Sequence, residues 1–508
     1  MSSSSPRTPE PRAGLREWLG LAVLGLPTLL VALDMSVLYL ALPHLAADLG
    51  ASSAELLWVT DIYSFAIAGF LLTTGALGDR IGHRRLLLIG ATGFGFVSVL
   101  AAFATHPAML IAARALLGAV AATLMPSTLA LISTMFRDPR QRTIAIAGWS
   151  STFMAGVAIG PVIGGALLEF FWWGSVFLLA APVMVLLLVL GPILLPEQRP
   201  AAAGRLDLIS VGLSLATALP PAYALKELTR DGSATTAVLA VLIGLIAGAL
   251  FARRQRKSAD PLFDVRLFAD RSFSTALIVL LIGSATTSGI AMFAAQYLQL
   301  AVGLPPLRAA TWLLPSTAAL IASAMLAPVA ARLVRPGYVI GAGLLLSSAG
   351  FAILVQVGSP TALVALVAGL AIAHFGSGPA DVLGTDLAMG AAPPGKAGSA
   401  ASMSETTTEL GVAVGTAVFG TLGTLAYRNG MSAAVPAGIP PDMAERAEDT
   451  MAGATTAAAQ LPSTPGADLL ELSREAYTGG LNAISTAAAI ITAVAALAAI
   501  ALLRNRPD

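Results

Sequence analysis

Gly156-Val157-Ala158-Ile159-Gly160-Pro161-Val162-Ile163-Gly164-Gly165 is the stretch from which the fold is read. It lies inside an apolar run, 143–170, long enough to cross a bilayer as a helix. Gly156, Gly160 and Gly164 recur every four residues and form a bare ridge on one helix face. A second helix can approach such a ridge backbone to backbone. Pro161 withholds one amide donor and favours a kink at mid-helix. Gly-xxx-Gly alone is a packing motif. The longer string is more specific, and the rest of the chain decides its meaning.

The chain has 508 residues, 56% hydrophobic and 11% charged, with mean hydropathy +0.81, too apolar for a soluble globular protein. Only helix bundles and closed barrels satisfy backbone polarity in lipid, and long apolar runs without period-two alternation select helices. Fourteen runs qualify: 19–42, 55–77, 86–104, 108–135, 143–169, 174–195, 207–226, 234–252, 273–300, 307–331, 337–356, 361–388, 397–425 and 482–503. Residues 1–18 form a Ser/Pro/Arg-rich tail. The run 19–42 exceeds a signal-peptide core and is read as an uncleaved first helix. There is no cysteine, hence no disulfide and no thiolate chemistry.

Charge sets the expected orientation. Of 29 Lys and Arg, 22 fall on one alternating set of loops and both tails, six on the other set, and Arg114 within the fourth span. By the positive-inside rule both termini are cytoplasmic, as an even helix count also requires. An internal repeat divides the spans. Gly156-Val-Ala-Ile-Gly160 returns as Gly411-Val-Ala-Val-Gly415, and Pro126 has its counterpart in Pro379. The organisation expected is an N-tail at 1–18, a six-helix half at 19–195, two inserted linker helices at 207–252, and a second six-helix half at 273–503. A short C-tail, 504–508, follows. The long segment 428–480 is placed between helices 13 and 14, on the external side, as either an exposed loop or a cap over the vestibule.

Four further motifs stand in order. After helix 2 comes Gly75-Ala76-Leu77-Gly78-Asp79-Arg80-Ile81-Gly82-His83-Arg84-Arg85. Helix 1 carries Leu33-Asp34-Met35-Ser36-Val37-Leu38-Tyr39, helix 4 Leu110-Ile-Ala-Ala-Arg114-Ala-Leu-Leu-Gly118, and helix 13 Ser404-Glu405-Thr406-Thr407-Thr408-Glu409. The 2–3 loop resembles the gating signature of the major facilitator superfamily, with His83 in place of the usual basic residue. Gly156–Gly165 resembles the fifth-helix antiporter motif of its drug exporters. The set together is similar to the fourteen-helix drug:proton antiporters of the QacA type. The resemblance implies an all-α membrane fold of 6+2+6 helices. It also implies proton-coupled efflux of hydrophobic, cationic drugs such as quaternary ammonium compounds from a bacterial plasma membrane. The proton gradient is then the energy source, no cofactor is required, and a monomer is expected.

The residues argue alongside. Asp34, Arg114, Glu405 and Glu409 sit within apolar spans, where a charge costs ~2.5–3.5 kcal/mol. Such groups mark an ion or substrate path, or a static pair that holds helices in register. Glu405 and Glu409 share a helix face and compete to stay ionised. Together with Asp34 and Arg114 they are the expected proton-coupling residues. Asp34, Trp58, Asp61, Tyr63, Trp149, Phe153, Phe293, Gln296, Tyr297 and Trp312 form the expected substrate set, because aromatic faces and carboxylates attract organic cations. Asp61 is equally compatible with an interfacial place. Asp381 reads as a vestibule or boundary residue. No phosphate loop, zinc-hydrolase or nucleophile-elbow motif is present, and no catalytic or metal-ligating set is expected. The chain reads as a transporter, not an enzyme, with no nucleic-acid partner. A dedicated exporter of one endogenous metabolite or antibiotic fits the same motifs.

Overall fold

A computed structural model describes residues 13–197, 208–227, 233–257, 265–358, 362–391, 397–432 and 439–503. The first half runs through α1 (Leu15–Leu49), α2 (Ser53–Ile81), α3 (His83–Ala102), α4 (Pro107–Met135), α5 (Pro139–Phe170), the short α6 (Ser175–Leu178) and α7 (Ala180–Leu194). Two further helices follow, α8 (Leu208–Glu227) and α9 (Ala234–Lys257). The second half contains α10 (Arg271–Gln296), α11 (Pro306–Leu333), α12 (Pro336–Leu354), α13 (Ala362–Ala391) and α14 (Ala397–Ser432). Two short helices, α15 (Pro441–Asp449) and α16 (Met451–Gln460), precede the final α17 (Ser463–Leu503). Among the described residues, thirteen helices are long and apolar enough to cross a membrane, which makes this a multi-pass membrane protein. The remaining helix of the expected series, α8, is 20 residues long and carries Pro220 and Pro221.

Helix ends follow their sequence signals. Ser52 and Glu55 form a reciprocal capping box at the start of α2. Asp138 accepts the Arg140 and Gln141 amides at the start of α5, and Asp270 accepts those of Ser272 and Phe273 at α10. Gly82 joins α2 to α3 at φ 96°, a conformation that L side chains rarely adopt.

Glycine determines which helices touch. A Cβ on Gly156 would meet Leu29 and Ala32 of α1, one on Gly160 would meet Ser36, and one on Gly164 would meet Val37. The ridge of α5 is thus filled, turn by turn, by α1. The same contact recurs in the second half, where Gly411 faces Leu281 and Ser284 of α10 and Gly415 faces Ala285. In lipid these van der Waals contacts replace the hydrophobic force that packs soluble helices.

The halves meet at one end of the bundle. Gly165 abuts Pro306 and Leu307 at the start of α11, Gly420 abuts Leu57, and Gln299 donates to the Leu40 carbonyl at 3.0 Å. The stretch 428–480, expected as an external loop or a cap, is largely helical among its described residues. α14 continues to Ser432, and α17 starts at Ser463 because Leu469, Ser473, Ala476 and Tyr477 are buried against the bundle. α15 and α16 lie over the same end. Asp449 accepts from the Ser53 amide (3.1 Å) and hydroxyl (2.9 Å), so the end of α15 clasps the start of α2 across the two halves. A carboxylate there also complements the helix dipole. Tyr427 fixes α15 from below by donating to the Ala447 carbonyl at 2.7 Å. This is the capped end, and the α2–α3 turn lies at the opposite, arginine-rich end.

Gly160→Leu is expected to insert normally and to lose about 1–3 kcal/mol through overpacking against α1. Gly148→Leu, exposed on the same helix with only Leu21 within 4 Å, is the control and is expected to be nearly neutral. Thermal unfolding of both variants in detergent, side by side, checks the seam.

Candidate functional site

Between the halves lies a cavity of about 420 Å³. The first half lines it with Met35, Ser36 and Tyr39 of α1 and with Phe153, Val157 and Pro161 of α5. The second half supplies the acid: Asp381 from α13, and Glu405 and Glu409 from α14, with His374, Ser377 and Thr385 completing the α13 face. Among the described residues, no Lys or Arg lines this cavity. The two walls therefore differ in kind, one apolar and aromatic, the other carboxylate-bearing. Glu409 is 8% exposed. Ser64 of α2 hydrogen-bonds it, and its Oε2 has no hydrogen-bond partner among the described residues. Glu405 is exposed into the cavity one turn away. The arrangement can accept a proton or a cation and release it again.

Asp34 faces elsewhere. Its carboxylate is held by Arg114 Nη1 at 2.6 Å and borders a small crevice lined by Leu38, Phe94 and Phe177. Arg114, 1% exposed, also donates from Nε to the Val59 carbonyl (3.2 Å), and its guanidinium carbon lies 4.1 Å from the Tyr63 ring centroid. Three partners from α1 and α2 thus satisfy one buried cation on α4. Gly118, one turn on, lets Tyr63 and Ala66 of α2 come close enough to reach it.

The aromatic set disperses. Phe153 lines the cavity. Phe293 stacks on Tyr477 (5.3 Å between centroids, 22°) and, with Gln296, borders a smaller cavity beneath α16. Tyr297 is buried at the head of a π-helical turn, Tyr297–Ala301. Trp149 is half-buried on α5, packed against the core. Trp312 points outward, 40% exposed. Trp58 and Asp61 lie together in a separate buried cluster with Lys226 of α8, which the positive-inside count places among the loop residues.

At the arginine-rich end the 2–3 turn is tied to its own half. Arg84 and Arg85 both pair with Glu197, at 3.0 and 3.1 Å, and Arg84 Nη1 donates to the Leu195 carbonyl at 3.1 Å. Gly78 leaves room for the His83 ring and accepts the Gly82 amide at 2.9 Å. Arg80 is exposed, Gly75 opens onto free space, and the side chain of Asp79 lies outside the described residues.

Asp381, read from the sequence as a vestibule or boundary residue, lines the cavity, and His374 beside it carries no sequence expectation. The spacing 374, 377, 381, 385 is one helix face, and that periodicity was the available signal.

Two glycine-zipped halves around an acid-walled central cavity define a membrane transporter rather than an enzyme. The chain belongs to the major facilitator superfamily, whose family model matches residues 24–416. It is 41% identical over 493 residues to the multidrug efflux pump LfrA of Mycolicibacterium smegmatis, covering 97% of this chain and 96% of that protein. It is 35% identical to the methyl viologen resistance protein SmvA of Salmonella typhimurium, over 91% of this chain and 93% of the relative. The tetracenomycin C resistance and export protein of Streptomyces glaucescens is 29% identical over 98% of this chain and 94% of its own. The fold matches a bacterial homologue of the human lysosomal transporter Spinster with TM-score 0.70 and 16% identity, over 98% of this chain and 99% of that one.

Arg114→Leu is expected to cost about 3–5 kcal/mol, because Asp34 is left buried and unpaired. The double variant Asp34→Asn with Arg114→Leu is expected to recover part of that loss. Unfolding midpoints of the two variants and of wild type give the comparison.

Proposed function

We propose that this protein exports hydrophobic organic cations, drugs among them, in exchange for protons. The observation that carries the reading is the central cavity: three carboxylates on one wall, aromatic and apolar side chains on the other, and, among the described residues, no lysine or arginine in its lining. An organic cation that enters places its charge against Glu405 and Glu409 and its apolar body against Tyr39 and Phe153. Cation–π contact is worth ~2 kcal/mol or more when desolvated. Proton and cation compete for one carboxylate pair, so loading one releases the other. That competition is the coupling of an antiporter. Asp34 stays outside this exchange while Arg114 holds it, so the second acidic group of the cycle is Asp381. The charge distribution of the loops supports a plasma-membrane orientation with both termini in the cytoplasm and the capped end outside. Relatives named for multidrug efflux and methyl viologen resistance support drugs as the substrate class. The relative named for tetracenomycin C export favours a second reading, export of one endogenous antibiotic.

Uptake of ethidium from the medium into everted vesicles separates these statements. Glu409→Gln is expected to lower pH-gradient-driven ethidium transport at least tenfold while leaving the protein inserted. Transport at the wild-type rate would remove Glu409 from the cycle. A flux confined to one compound across a panel of cations would favour the second reading.

The potential supplies another test. A membrane potential acts at ~2.3 kcal/mol per unit charge per 100 mV. With more than one carboxylate in the cavity, two protons are expected to enter for each monovalent cation leaving, an electrogenic exchange. Flux in proteoliposomes at fixed pH gradient is expected to rise with a valinomycin-set potential. The variant Glu405→Gln with Glu409→Gln is expected to lose that response.

A further inference from the structure

Besides the Asp34–Arg114 pair, a second buried cluster of charge lies outside the central cavity. Trp58 and Asp61 are three residues apart on α2 and share a face. Asp61 is fully buried, and Thr60 donates to its Oδ1 at 3.1 Å. Lys226, in the last turn of α8, is 1% exposed. Its ammonium lies 2.7 Å from Asp61 Oδ2 and 3.6 Å from the centroid of the Trp58 ring. None of the three residues lines the central cavity.

A carboxylate beside an open aromatic face is how proteins recognise an ammonium group. Here both elements converge on one nitrogen. Apart from Thr60 of α2 and Thr416 of α14, which hydrogen-bond Asp61, the surroundings are apolar, formed by Phe65 of α2, Leu219 and Ala222 of α8, and Leu410 and Ala413 of α14. A lysine arm of four methylenes suits such a pocket, since its stem packs while its head is held. Desolvating both charges is expensive, and a well-packed apolar pair in their place is often no less stable. Cation–π contact with the Trp58 ring adds to the ion pair and favours an ammonium head at this position. The ring is explained if the site selects an ammonium ion.

We propose that Trp58 and Asp61 form an ammonium-binding site and that Lys226, carried on the inserted helix α8, is its tethered ligand. Lys226 fastens α8 to α2, on a flank where α14 of the other half also packs. The chemical class the site takes is a primary alkylammonium ion. The claim concerns a site outside the cargo cavity, so it stands or falls independently of what the protein exports.

Chemical rescue tests it. Lys226→Ala removes the ammonium arm and keeps the ring and the carboxylate. Full-length protein in detergent is unfolded by heat with n-propylammonium chloride, n-propanol or sodium chloride at equal concentration. The variant is expected to lose several degrees. Propylammonium alone is expected to restore at least half of that loss while leaving wild type unshifted. Adding Asp61→Asn to the variant is expected to abolish the propylammonium-specific gain. Restoration by propanol to the same extent would overturn the proposal, because it would show a filled hole rather than a recognised charge. So would an undiminished gain in the double variant. Should Lys226→Ala not accumulate in cells, cell-free synthesis into liposomes with either compound gives the same comparison. A several-fold higher yield of folded protein with propylammonium than with propanol supports the site, and equal yields refute it.

Discussion

Helices in lipid feel no hydrophobic attraction for one another, so contact has to come from backbones that can approach closely. That constraint organises the protein. Gly156, Gly160 and Gly164 remove every Cβ that would hold α1 off α5, and Gly411 and Gly415 do the same between α10 and α14. Each seam makes a pair of helices into one stiff unit. The cavity is bounded by these units, with Pro161 and Val157 presented from one and Glu409 and Val412 from the other. Movement that opens or closes it must then occur between units rather than within them.

Charge in the bundle is handled in two ways. Arg114 and Lys226 are each surrounded, the first by a carboxylate, a carbonyl and a tyrosine ring, the second by a carboxylate and a tryptophan ring. Their carboxylate partners, Asp34 and Asp61, are neutralised where they stand. Glu409 is handled differently, with a serine beside one oxygen and no described partner for the other. A group left incompletely satisfied in a low-dielectric cavity is the one whose charge is easiest to exchange. In the proposed exchange, the difference between the ion-paired carboxylates and this unpaired glutamate separates the coupling residue from the scaffold.

The helical class and the packing of α5 were legible because both depend on local pattern: apolar run length, and glycine at every fourth position. Glu405 and Glu409 were legible as a pair for the same reason. Asp34 was harder. The α1 residues that line the cavity are Ala32, Met35, Ser36, Tyr39 and Leu40, and a residue two positions from Ser36 points to nearly the opposite side of a helix. Depth in the membrane suggested a site, whereas angle around the axis decided it. Lys226 was illegible for a different reason. It stands at the end of a helix weakened in pattern by Pro220 and Pro221, where charge counting reads a lysine as a loop residue. Only the tertiary approach of α8 to α2 reveals the ring and carboxylate that receive it. The segment 428–480 carried both a loop and a cap reading, and the burial that makes α15, α16 and the first turns of α17 helical comes from surfaces remote in sequence.

The clasp between Asp449 and Ser53 bears on tempo. Hydrogen bonds to a charged group are worth about 1.5–3 kcal/mol each, and every 1.36 kcal/mol changes a rate tenfold. Two such bonds bridge halves that must separate at this end once per turnover. The clasp therefore works as an escapement: its strength fixes how long the closed end dwells before releasing. A tighter clasp lengthens that dwell and a weaker one shortens it.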